Sequence, residues 1–472
     1  MRLLLLLLLP LLLSACNPLQ MKPLEPPEPP GNYATEQTEP VVKLSERWWT
    51  DFHDPQLNRL QEQLFSNNLD LLQALYRLQQ LDALQKMSGA ALWPQVGLNG
   101  SISRDSVPGI VDDTISTNKR FSVAAGYEVD LWNKLRDKTT AAELRQQAGE
   151  MEVQSLLLSL SAQLSEQYFL AVEQRAQLEL LKQQTVQRKV FLQTVTERYL
   201  AGLSTAVEVY RAQQNLAITA TLVPEHQTTL TRAQNSIALL LGQLPGSVLI
   251  DRQELPQLDN IVDIGLPADL LTRRPDIAAV QLQLAAADRE LAAALAAKLP
   301  AVNLSATLGR SFIDLSAGNI TGTFWNLALG LTQPLVDGGL RQAEADRQEA
   351  IRAETLADYR QTMLNAFQEV ETALVAETNN TVKATALEQQ RQINQKNLRL
   401  TRDNYLYGLT DSRDLVNSQI LQLEILRQQL NNQRQQLSNR ITLARALGGS
   451  WTSEELTRQQ QILNQEQDET ND

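Results

Sequence analysis

The sequence predicts an α+β membrane protein that is built from two copies of one large unit. Three observations predict this fold class. Four segments of about ten residues alternate apolar and polar side chains, as β-strands with one apolar face do. Two stretches of nearly seventy residues contain almost no glycine or proline, which predicts very long helices. Short sequence motifs recur about 206 residues apart, which predicts an internal two-fold repeat.

The alternating segments predict strands at about 95–104, 120–131, 301–310 and 323–335. Each has the length that a tilted strand needs to cross a lipid bilayer. A half-buried sheet in a soluble protein would show the same alternation. The membrane interpretation is favoured because the polar positions carry small, often hydroxylated side chains, as in a water-filled lumen, and because the N-terminus indicates a membrane location.

The number of strands restricts how the chain assembles. Four strands are too few to close a β-barrel within one chain. Open strand edges are not tolerated in hydrocarbon, because their N–H and C=O groups would be left unpaired. Several copies of the chain are therefore predicted to contribute strands to one barrel.

The longest stretch free of helix breakers runs from Gly339 to Gly408, and the matching stretch from Trp132 to Ala201 contains only Gly149. Helices of this length would extend for roughly 100 Å at 1.5 Å per residue. Their apolar residues step by three and four positions, which predicts helix-on-helix packing like that of a coiled coil.

Shorter return helices are predicted over about 203–241 and 411–447, and an alanine-rich helix over about 276–297. Pro224 is expected to break or bend the first return helix, because proline lacks the N–H group that a helix needs. Each repeat is thus predicted to contain a helix, two strands, a very long helix, a turn and a return helix.

Matching motifs define the internal repeat. The tip turn YLAGLS at 199–204 matches YLYGLT at 405–410, and the dipeptide Leu-Gly at 241–242 matches Leu-Gly at 447–448. Both pairs are 206 residues apart. The first repeat is placed at 48–257 and the second at 258–451, and residues 452–472 are expected to form a disordered polar tail.

Residues 1–15 are predicted to be a signal peptide. Their apolar run ends in the sequence LSAC at 13–16, which resembles a bacterial lipobox. Cys16, the only cysteine in the chain, is then expected to carry covalent lipid that holds the protein on a membrane. An ordinary secretory signal with a chance cysteine is the alternative. Asn17 after the cysteine favours sorting to the outer membrane over retention at the inner one.

Residues 16–47 combine the lipidated cysteine with a proline-rich segment of few apolar residues. Such a segment cannot build a core, and its stiff, extended conformers suit a tether between lipid and folded body.

Composition excludes several functions. A net charge of −12 excludes nucleic acid as a partner, because phosphate binding needs a basic surface. One cysteine is too little sulfur for a structural zinc site, and only His53 and His226 could supply imidazole ligands. An enzyme is the first rival function, but a hydrolytic triad needs a histidine or cysteine partner, and no phosphate-binding GxxxxGK[ST] loop is present. We expect no catalytic residue, no metal and no cofactor besides the lipid on Cys16.

Four motifs indicate a family. WWTDFHDPQL at 48–57 resembles a WWxxFxDPxL motif, and LLTRRPDI at 270–277 resembles an RRPDI motif. DLW follows the second strand at 130–132, and PLVDGG follows the fourth at 334–339. Together the motifs resemble those of the TolC-like outer-membrane efflux proteins, in their NodT-type lipoprotein branch.

The resemblance extends from Cys16 to about residue 451, and it implies a homotrimer in the outer membrane of a Gram-negative bacterium. The 3 × 4 strands would form one β-barrel, and the helices would continue as a hollow α-barrel across the periplasm. A periplasmic adaptor protein and an inner-membrane pump of the resistance-nodulation-division (RND) type would complete the system. Gln281 departs from the glutamate that the family usually carries there, which concerns a local interaction only.

The function implied by the resemblance is a passive exit duct for small molecules. A type I exit channel for secreted proteins is an alternative within the family. A non-channel coiled-coil lipoprotein is a further alternative, which explains the helices but leaves the four alternating segments without a purpose.

The resemblance assigns adaptor contact to the two tip turns, namely Gly202, Leu203 and Ser204 with Gly408, Leu409 and Thr410. Glycine fits a sharp chain reversal at which φ is positive. Alternatively, these residues only end the helices. That reading explains the glycines, but it does not explain the leucine and hydroxyl that follow each one.

The resemblance also assigns a gate. Asp414 stands where the family carries a constriction carboxylate, and the repeat relates it to Glu208. If both face the lumen, a trimer presents six carboxylates, which would favour cations. A solvated helix face is the alternative for Glu208. Asp411 and Arg413 are candidates for polar links that hold the tip closed, and Asn417 replaces a second acidic residue of some relatives.

Overall fold

The computed structural model describes residues 41–42, 45–107, 114–258, 261–262, 272–315 and 318–471. The predicted signal peptide, the lipidation site at Cys16 and most of the proline-rich tether lie outside these residues. The chain divides into two compact units. Among the described residues, the first comprises those of Tyr76–Glu150 and Ala278–Thr362, and the second comprises those of Glu28–Leu75, Met151–Ile277 and Met363–Asp472.

Helices dominate the described part of the chain. A short 3-10 helix at Trp48–Phe52 precedes them. The α-helices of the described residues are α1 (Pro55–Asn67), α2 (Leu69–Ala90), α3 (Lys134–Leu200), α4 (Ala206–Leu240), α5 (Pro275–Ala296), α6 (Leu340–Leu406), α7 (Ser412–Leu447) and α8 (Trp451–Asn471).

Strands form two sheets among the described residues. They are β1 (Val41–Val42), β2 (Gln95–Val107), β3 (Thr114–Val129), β4 (Ile261–Val262), β5 (Ala301–Leu315) and β6 (Gly318–Thr332). The two-residue strands β1 and β4 pair in parallel. The other four form an antiparallel sheet in the order β2-β3-β5-β6, in which β3 and β5 join the two repeats.

The two longest helices, α3 and α6, each contain 67 residues, as the stretches free of helix breakers predict. Gly149 lies inside α3 without ending it. A Cβ atom at this position would lie 2.5 Å from Leu81 and 3.4 Å from Leu78, both on α2. Glycine therefore permits the close approach of α2 to α3 within the first unit.

Of the two outcomes expected for Pro224, a break or a bend in the first return helix, the break does not occur, because α4 runs continuously from Ala206 to Leu240. Proline inside a helix costs about 3 kcal/mol. Buried residues on both sides of it, Thr219 (0% exposed) and Leu230 (6% exposed), anchor α4 to its neighbours. This packing outweighs the loss of one hydrogen bond.

The prediction of a disordered tail is also wrong, because residues 451–471 form α8. Trp451 is only 2% exposed and packs edge-on against Trp49, with ring centroids 4.8 Å apart. Leu456 and Leu463 are buried on the same helix. The polar composition of this segment gave no sign of these three buried residues, which attach the helix to the core of the second unit.

The four-stranded sheet of the first unit has one apolar face. Directly paired residues on antiparallel strands share a face, and the row Leu98–Val123–Leu308–Trp325 runs across all four strands. The next row on that face ends in Leu327. Trp325 and Leu327 are 76% and 71% exposed in the single chain. The sheet thus presents an apolar surface that nothing in the described chain covers.

The opposite face of the same sheet carries small and polar side chains. One row there reads Asn99–Ser122–Gly309–Phe324, so an aromatic residue of β6 interrupts the polar face. Ser311 and Asn118 lie in neighbouring rows of the same face, and Ser311 Oγ donates a hydrogen bond to Asn118 Oδ1 at 3.1 Å. The strands contain 13 to 16 residues, more than the alternating segments predict, because the ladder continues at one end of the sheet through residues 105–107, 114–119, 311–315 and 318–322.

The sheet has two open edges. In the described residues β2 pairs only with β3, and β6 pairs only with β5. Each outer strand therefore keeps a row of main-chain donors and acceptors without a partner in the chain. None of the described helices combines the length and the hydropathy that a membrane-spanning helix needs.

Candidate functional site

The first tip turn joins α3 to α4 and ends α3 in a Schellman motif. Gly202 has φ of 74°, and its N–H donates to Tyr199 O at 3.0 Å. The N–H of Leu203 donates to Arg198 O at 2.8 Å. This pattern satisfies the carbonyl groups of the last helical turn, and it requires a residue that tolerates positive φ.

The second tip turn joins α6 to α7 with the same geometry. Gly408 has φ of 73°, and its N–H donates to Tyr405 O at 3.1 Å. The N–H of Leu409 donates to Asn404 O at 2.8 Å. Helix termination therefore accounts for both glycines. It does not account for Leu203 and Leu409, which are 70% and 73% exposed.

The hydroxyl groups after the leucines have different surroundings. Ser204 Oγ donates to Glu208 Oε2 at 2.6 Å. Thr410 Oγ1 is buried and has no hydrogen-bond partner among the described residues. The equivalence of the two turns therefore ends at the hydroxyl groups.

Glu208 connects the two helical hairpins, which are α3 with α4 and α6 with α7. It is not a free side chain on a helix face. It is half-buried near the start of α4, and its Oε2 accepts a second hydrogen bond, from the Tyr405 hydroxyl at 3.3 Å. Tyr405 is 3% exposed in the last turn of α6. Burial raises the pKa of Tyr405, and the negative charge of Glu208 raises it further, so the phenol stays a proton donor.

The other predicted gate residues lie at the start of α7. Asp411 caps this helix, and its carboxylate accepts from the N–H of Arg413 at 2.7 Å. Arg413 Nε lies 4.0 Å from Asp411 Oδ2, and both side chains are exposed. Asp414 and Asn417 are exposed on α7.

Within one chain the structure brings Ser204, Glu208 and Tyr405 together, but Asp414 stays outside that group.

A small core supports the tip, and the sequence did not reveal it. Tyr405 packs with Val195, Ala212 and Leu415, and the Arg198 guanidinium lies 5.2 Å from the centre of its ring. The one available signal was the repeated tyrosine of the tip motif. Its first-repeat counterpart, Tyr199, is 45% exposed, so the motif alone could not distinguish a core residue from a surface residue.

A buried polar layer links α3, α4 and α7. Arg188 is 2% exposed, donates to Asn215 O at 2.7 Å and contacts Thr219 Oγ1. Burial lowers the pKa of Arg188. Asn215 Nδ2 in turn donates to Gln419 Oε1 on α7 at 3.1 Å. The layer therefore ties the two hairpins together beyond the tip.

His226 belongs to a second polar layer. Its Nδ1–H donates to Gln174 Oε1 at 2.7 Å, and its Nε2 lies 3.4 Å from Arg427 Nη2 on α7. The ring must be neutral to accept from a guanidinium. Burial lowers the pKa of His226, the charge of Arg427 lowers it further, and Glu225 and Glu173 oppose this shift.

The WWxxFxDPxL motif is structural. Asp54 is 2% exposed and caps α1, and its carboxylate accepts from Tyr168 Oη and Arg252 Nη1, both at 2.7 Å. Burial raises the pKa of Asp54, but hydrogen bonds from Tyr168, Arg252 and the N–H of Leu57 outweigh it and lower the pKa overall. His53 lies exposed at the C-cap of the 3-10 helix with φ of 50°.

The RRPDI motif is structural as well. Arg274 contacts Asp276 at 2.7 Å and Glu369 at 2.9 Å. Glu369 also pairs with Arg445. Arg274 therefore attaches the start of α5 to α6 within the second unit. Gln281, the departure from the family motif, is exposed on α5.

Metal-ligand geometry is lacking in the part of the chain that the structure describes. No three His, Cys, Asp or Glu side chains there lie close enough together to hold a metal ion.

A sheet with one uncovered apolar face, two helices of 67 residues and two equivalent tip turns are the features expected of an outer-membrane channel protein. The chain belongs to the outer membrane efflux protein family. The model of that family matches residues 60–243 and again residues 266–449, and both ends of the second match lie 206 residues after those of the first.

Individual relatives agree with this assignment. The pyoverdine export outer membrane protein OpmQ of Pseudomonas putida is 28% identical over 445 residues, which cover 91% of this chain and 94% of OpmQ. The cation efflux system protein CusC of Escherichia coli O157:H7 is 27% identical over 413 residues, which cover 86% of this chain and 88% of CusC. The solved structure of the outer-membrane channel OprN is 27% identical, with a TM-score of 0.84 over 91% of this chain and 99% of OprN.

The predicted family, location and general function are confirmed by these matches. The protein is an outer-membrane efflux channel component of a Gram-negative bacterium. Its family consists of channel proteins and not of enzymes.

Proposed function

We propose that three copies of this chain form one passive exit duct for small molecules. The observation that carries the proposal is the four-stranded sheet with an uncovered apolar face and open edges at β2 and β6. Unpaired strand edges in hydrocarbon cost several kcal/mol for each group, so the edge of one copy pairs with that of the next. Three copies supply twelve strands, which close a barrel with the polar face inside.

The partners follow from the family. A periplasmic adaptor protein contacts the tip turns, and an RND-type pump in the inner membrane supplies the energy that a passive duct lacks. The exposed Leu203 and Leu409, which helix termination does not require, are the apolar anchors for the adaptor. Gly202 and Gly408 hold the turns, and Ser204 and Thr410 follow the leucines.

Small molecules are the class of cargo that fits best. The names of relatives refer to pyoverdine export, to cation efflux and to toluene efflux. None of the relatives named here carries a protein-secretion name, which favours a small-molecule duct over a type I secretion channel.

Covalent lipid on Cys16 holds the N-terminus in the outer membrane, and residues 17–47 link it to the folded body. The lipobox sequence at 13–16 and the seven prolines that follow support this part of the proposal. The segments 48–257 and 258–451 are retained as the two sequence repeats of the mature chain, and each compact unit combines parts of both repeats.

The gate is formed at the tip. Asp414 contributes one exposed carboxylate per copy, so a trimer has a ring of three that favours cations. Glu208, held by Ser204 and Tyr405, serves as a latch between the hairpins. Asp411 fixes the start of α7, and Arg413 extends beside it as the second polar group of the gate.

The test is conductance of the purified, lipidated protein in planar lipid bilayers, combined with its mass in detergent. We expect a trimer that conducts ions, and we expect Asp414→Asn to lower the cation-to-anion permeability ratio. A spacer lipoprotein without a channel would give no conductance. A monomer in mild detergent would contradict the shared barrel, and an unchanged permeability ratio would remove Asp414 from the gate.

Export in cells separates the two kinds of cargo. We expect that deletion of the gene raises the intracellular accumulation of a fluorescent dye or a toxic small molecule and leaves secreted proteins unchanged. The opposite pattern would favour type I secretion.

A further inference from the structure

Three cations lie on the apolar face of the four-stranded sheet, near the end at which the strands turn. Arg310, Lys119 and Arg104 each lie an even number of residues from the apolar row Leu98–Val123–Leu308–Trp325 on their own strand. Side chains at such a spacing share a face of the sheet. All three are exposed in the single chain. They form a basic cluster at one border of the apolar face.

The strand register places the basic cluster on an oblique line across three strands. Arg310 on β5 pairs with Phe121, which is two residues from Lys119 on β3. Arg104 on β2 pairs with Thr117, which is two residues from Lys119 in the other direction. Diagonal neighbours of this kind are about 7–8 Å apart. Two long cationic side chains at this spacing can contact one phosphate group together.

The charged groups of Lys119 and Arg310 extend away from the apolar rows. Lys119 Nζ lies 3.4 Å from Asp314 Oδ2, and the guanidinium carbon of Arg310 lies 5.3 Å from the centre of the Phe312 ring. Asp314 and Phe312 each lie on the same face one row nearer to the turn than the cation that they contact. Cationic side chains on an apolar surface extend in this way towards a polar environment.

The length of the apolar face places the basic cluster at the level of the lipid headgroups. Val302 and Arg310 are eight residues apart on β5, and the residues of this face between them are all apolar. Eight residues extend about 26 Å along a strand, or about 20 Å along the membrane normal at a tilt of about 40°. The apolar band of a membrane barrel is about 25 Å tall. Charged groups that reach one row further therefore leave the hydrocarbon.

The topology decides which leaflet the basic cluster meets. The helices α2, α3, α5 and α6 join the strands at the ends opposite to the turns. In the proposed duct these helices lie on the periplasmic side, so the turn end meets the outer leaflet. The outer leaflet of a Gram-negative outer membrane is built from glycolipids whose sugars carry phosphate groups.

The basic cluster carries more positive charge than its surroundings neutralise. The contact of Lys119 with Asp314 is exposed, with 48% and 43% of the two side chains accessible. Arg310 and Arg104 have no carboxylate partner among the residues that the structure describes. An arginine guanidinium can donate two hydrogen bonds to one phosphate group. Charge complementarity therefore favours a phosphate-bearing ligand.

We propose that Arg310, Lys119 and Arg104 bind the phosphate groups of a glycolipid headgroup in the outer leaflet. This inference rests on the proposed barrel, and it adds a lipid-binding site to the outward face of each copy. Arg310 and Lys119 contact one phosphate between β3 and β5. Phe121 pairs with Arg310 and is 56% exposed, so it provides an apolar contact for the acyl chains.

Lipid binding to the full-length trimer in detergent tests the site. The probe is lipid A with two phosphate groups, and native mass spectrometry counts the bound molecules as its concentration is raised. The double variant Arg310→Gln with Lys119→Gln is expected to raise the dissociation constant by at least about tenfold, because each cation makes a charge-assisted contact with phosphate. Its trimer mass and unfolding temperature are measured alongside.

The matched control is a cation on the other face of the same strand. Arg120 follows Lys119 on β3 and is also exposed, but it lies on the polar face. Arg120→Gln is expected to leave the affinity for lipid A unchanged. An equal loss in this control and in the double variant would overturn the site, because it would indicate an effect of net charge alone.

The chemistry of the lipid is varied as well. Lipid A with a single phosphate group is expected to bind more weakly than the form with two. Phosphatidylglycerol is expected to bind no better to the natural protein than to the double variant. Binding of phosphatidylglycerol as tight as that of lipid A would show that any anionic lipid suffices, and it would contradict a glycolipid site.

Removal of the competing carboxylate provides a measurement in the opposite direction. Asp314→Asn frees Lys119 and is expected to tighten lipid A binding about threefold, since an exposed ion pair is weak. This variant decides the matter if the double variant does not fold, and unchanged or weaker binding would contradict the role of Lys119. If the trimer conducts ions but lipid A binding ignores all these substitutions, the lipid site is wrong and the proposed function stands. If no trimer forms, the proposed function fails.

Discussion

Gly242 and Gly448 occupy the same place in the two repeats, at the end of α4 and of α7. Both have positive φ, 66° and 74°. A Cβ atom at Gly242 would lie 2.6 Å from Asn67 O, and one at Gly448 would lie 2.5 Å from Arg273 O. Asn67 and Arg273 are themselves 206 residues apart. The internal repeat thus preserves an atomic contact as well as a sequence.

The first prediction concerns this contact. Gly242→Ala is expected to lower the free energy of unfolding by more than the roughly 1–2 kcal/mol that a left-handed backbone alone costs an alanine, because the Cβ atom also meets a main-chain oxygen. Gly246 has φ of 86° and open space around it, so Gly246→Ala isolates the backbone cost. Thermal unfolding of the detergent-solubilised protein, followed by circular dichroism, compares the two. Equal losses would show that the carbonyl contact is unimportant.

The second prediction concerns Asp54. Its carboxylate is buried and accepts hydrogen bonds from Tyr168 and Arg252. Asp54→Asn leaves Arg252 without its partner and is expected to cost about 3–5 kcal/mol at pH 7, as the loss of one member of a buried ion pair does. Tyr168→Phe removes one hydrogen bond to a charged group and is expected to cost about 1.5–3 kcal/mol. Chemical unfolding curves measure both.

The pH dependence of this group has a definite sign. The pKa of Asp54 is lower in the folded protein than the ordinary value of 3.8. Its stabilisation is therefore complete above that ordinary value and is lost as the pH falls through the folded-state pKa. Asp54→Asn is expected to flatten the acid limb of the stability profile below pH 4. An acid limb identical to that of the natural protein would contradict this role.

The third prediction concerns His226. Burial and Arg427 lower its pKa below the ordinary value of 6.5, so the neutral ring is favoured in the folded protein. The stabilisation is present above pH 6.5 and is lost as the pH falls towards the folded-state pKa, because the unfolded chain takes up the proton first. Facing the ring are Glu173 and Gln174 on α3, Glu225 on α4 and Arg427 on α7.

The measurement compares unfolding temperatures at pH 7.5 and pH 5.5. His226→Gln is expected to reduce the difference between the two. The matched control is His53→Gln, because His53 is the other histidine of the chain and is exposed. A reduction of the same size in the control variant would assign the effect to something other than burial of His226.

The fourth prediction concerns the tip. Tyr405→Phe removes the hydroxyl that donates to Glu208 and keeps the ring that fills the core. We expect a higher open probability in planar bilayers, with an unfolding temperature within a few degrees of the natural protein, because the hydrogen bond is worth roughly 1–2 kcal/mol. Tyr199→Phe, at the equivalent and exposed position of the first repeat, should leave conductance unchanged. A conductance change in both variants would argue against the latch.

Local signals in the sequence sufficed for the regular parts of this fold. The breaker-free stretch before Gly408 became the 67-residue α6, and the alternation around Trp325 became β6. In both cases the pattern extends over many residues, so the period is well defined. The positions of the tip turns followed from Gly202 and Gly408, because a positive φ is a strong constraint on residue type.

Tertiary contacts decided the rest. The helix α8 depends on Trp451 reaching Trp49, and α4 continues past Pro224 because buried neighbours hold it. The contact of Glu208 with Tyr405 joins residues from different repeats, 197 positions apart. No local pattern in the sequence encodes such a contact. The repeat predicted Asp414 and Glu208 as equivalents, but only Glu208 meets a phenol from the other hairpin.

The lengths of α4 and α7, 35 and 36 residues, restrict how this gene can change. Each helix is fixed at one end by its tip turn and at the other by a glycine seated on a carbonyl group. An insertion in one helix alone would shift its side-chain contacts with the neighbouring helices out of register. The ion pair of Arg434 with Glu173 is one such contact. A change in the length of α4 must therefore be matched by an equal change in α7, in the other half of the gene.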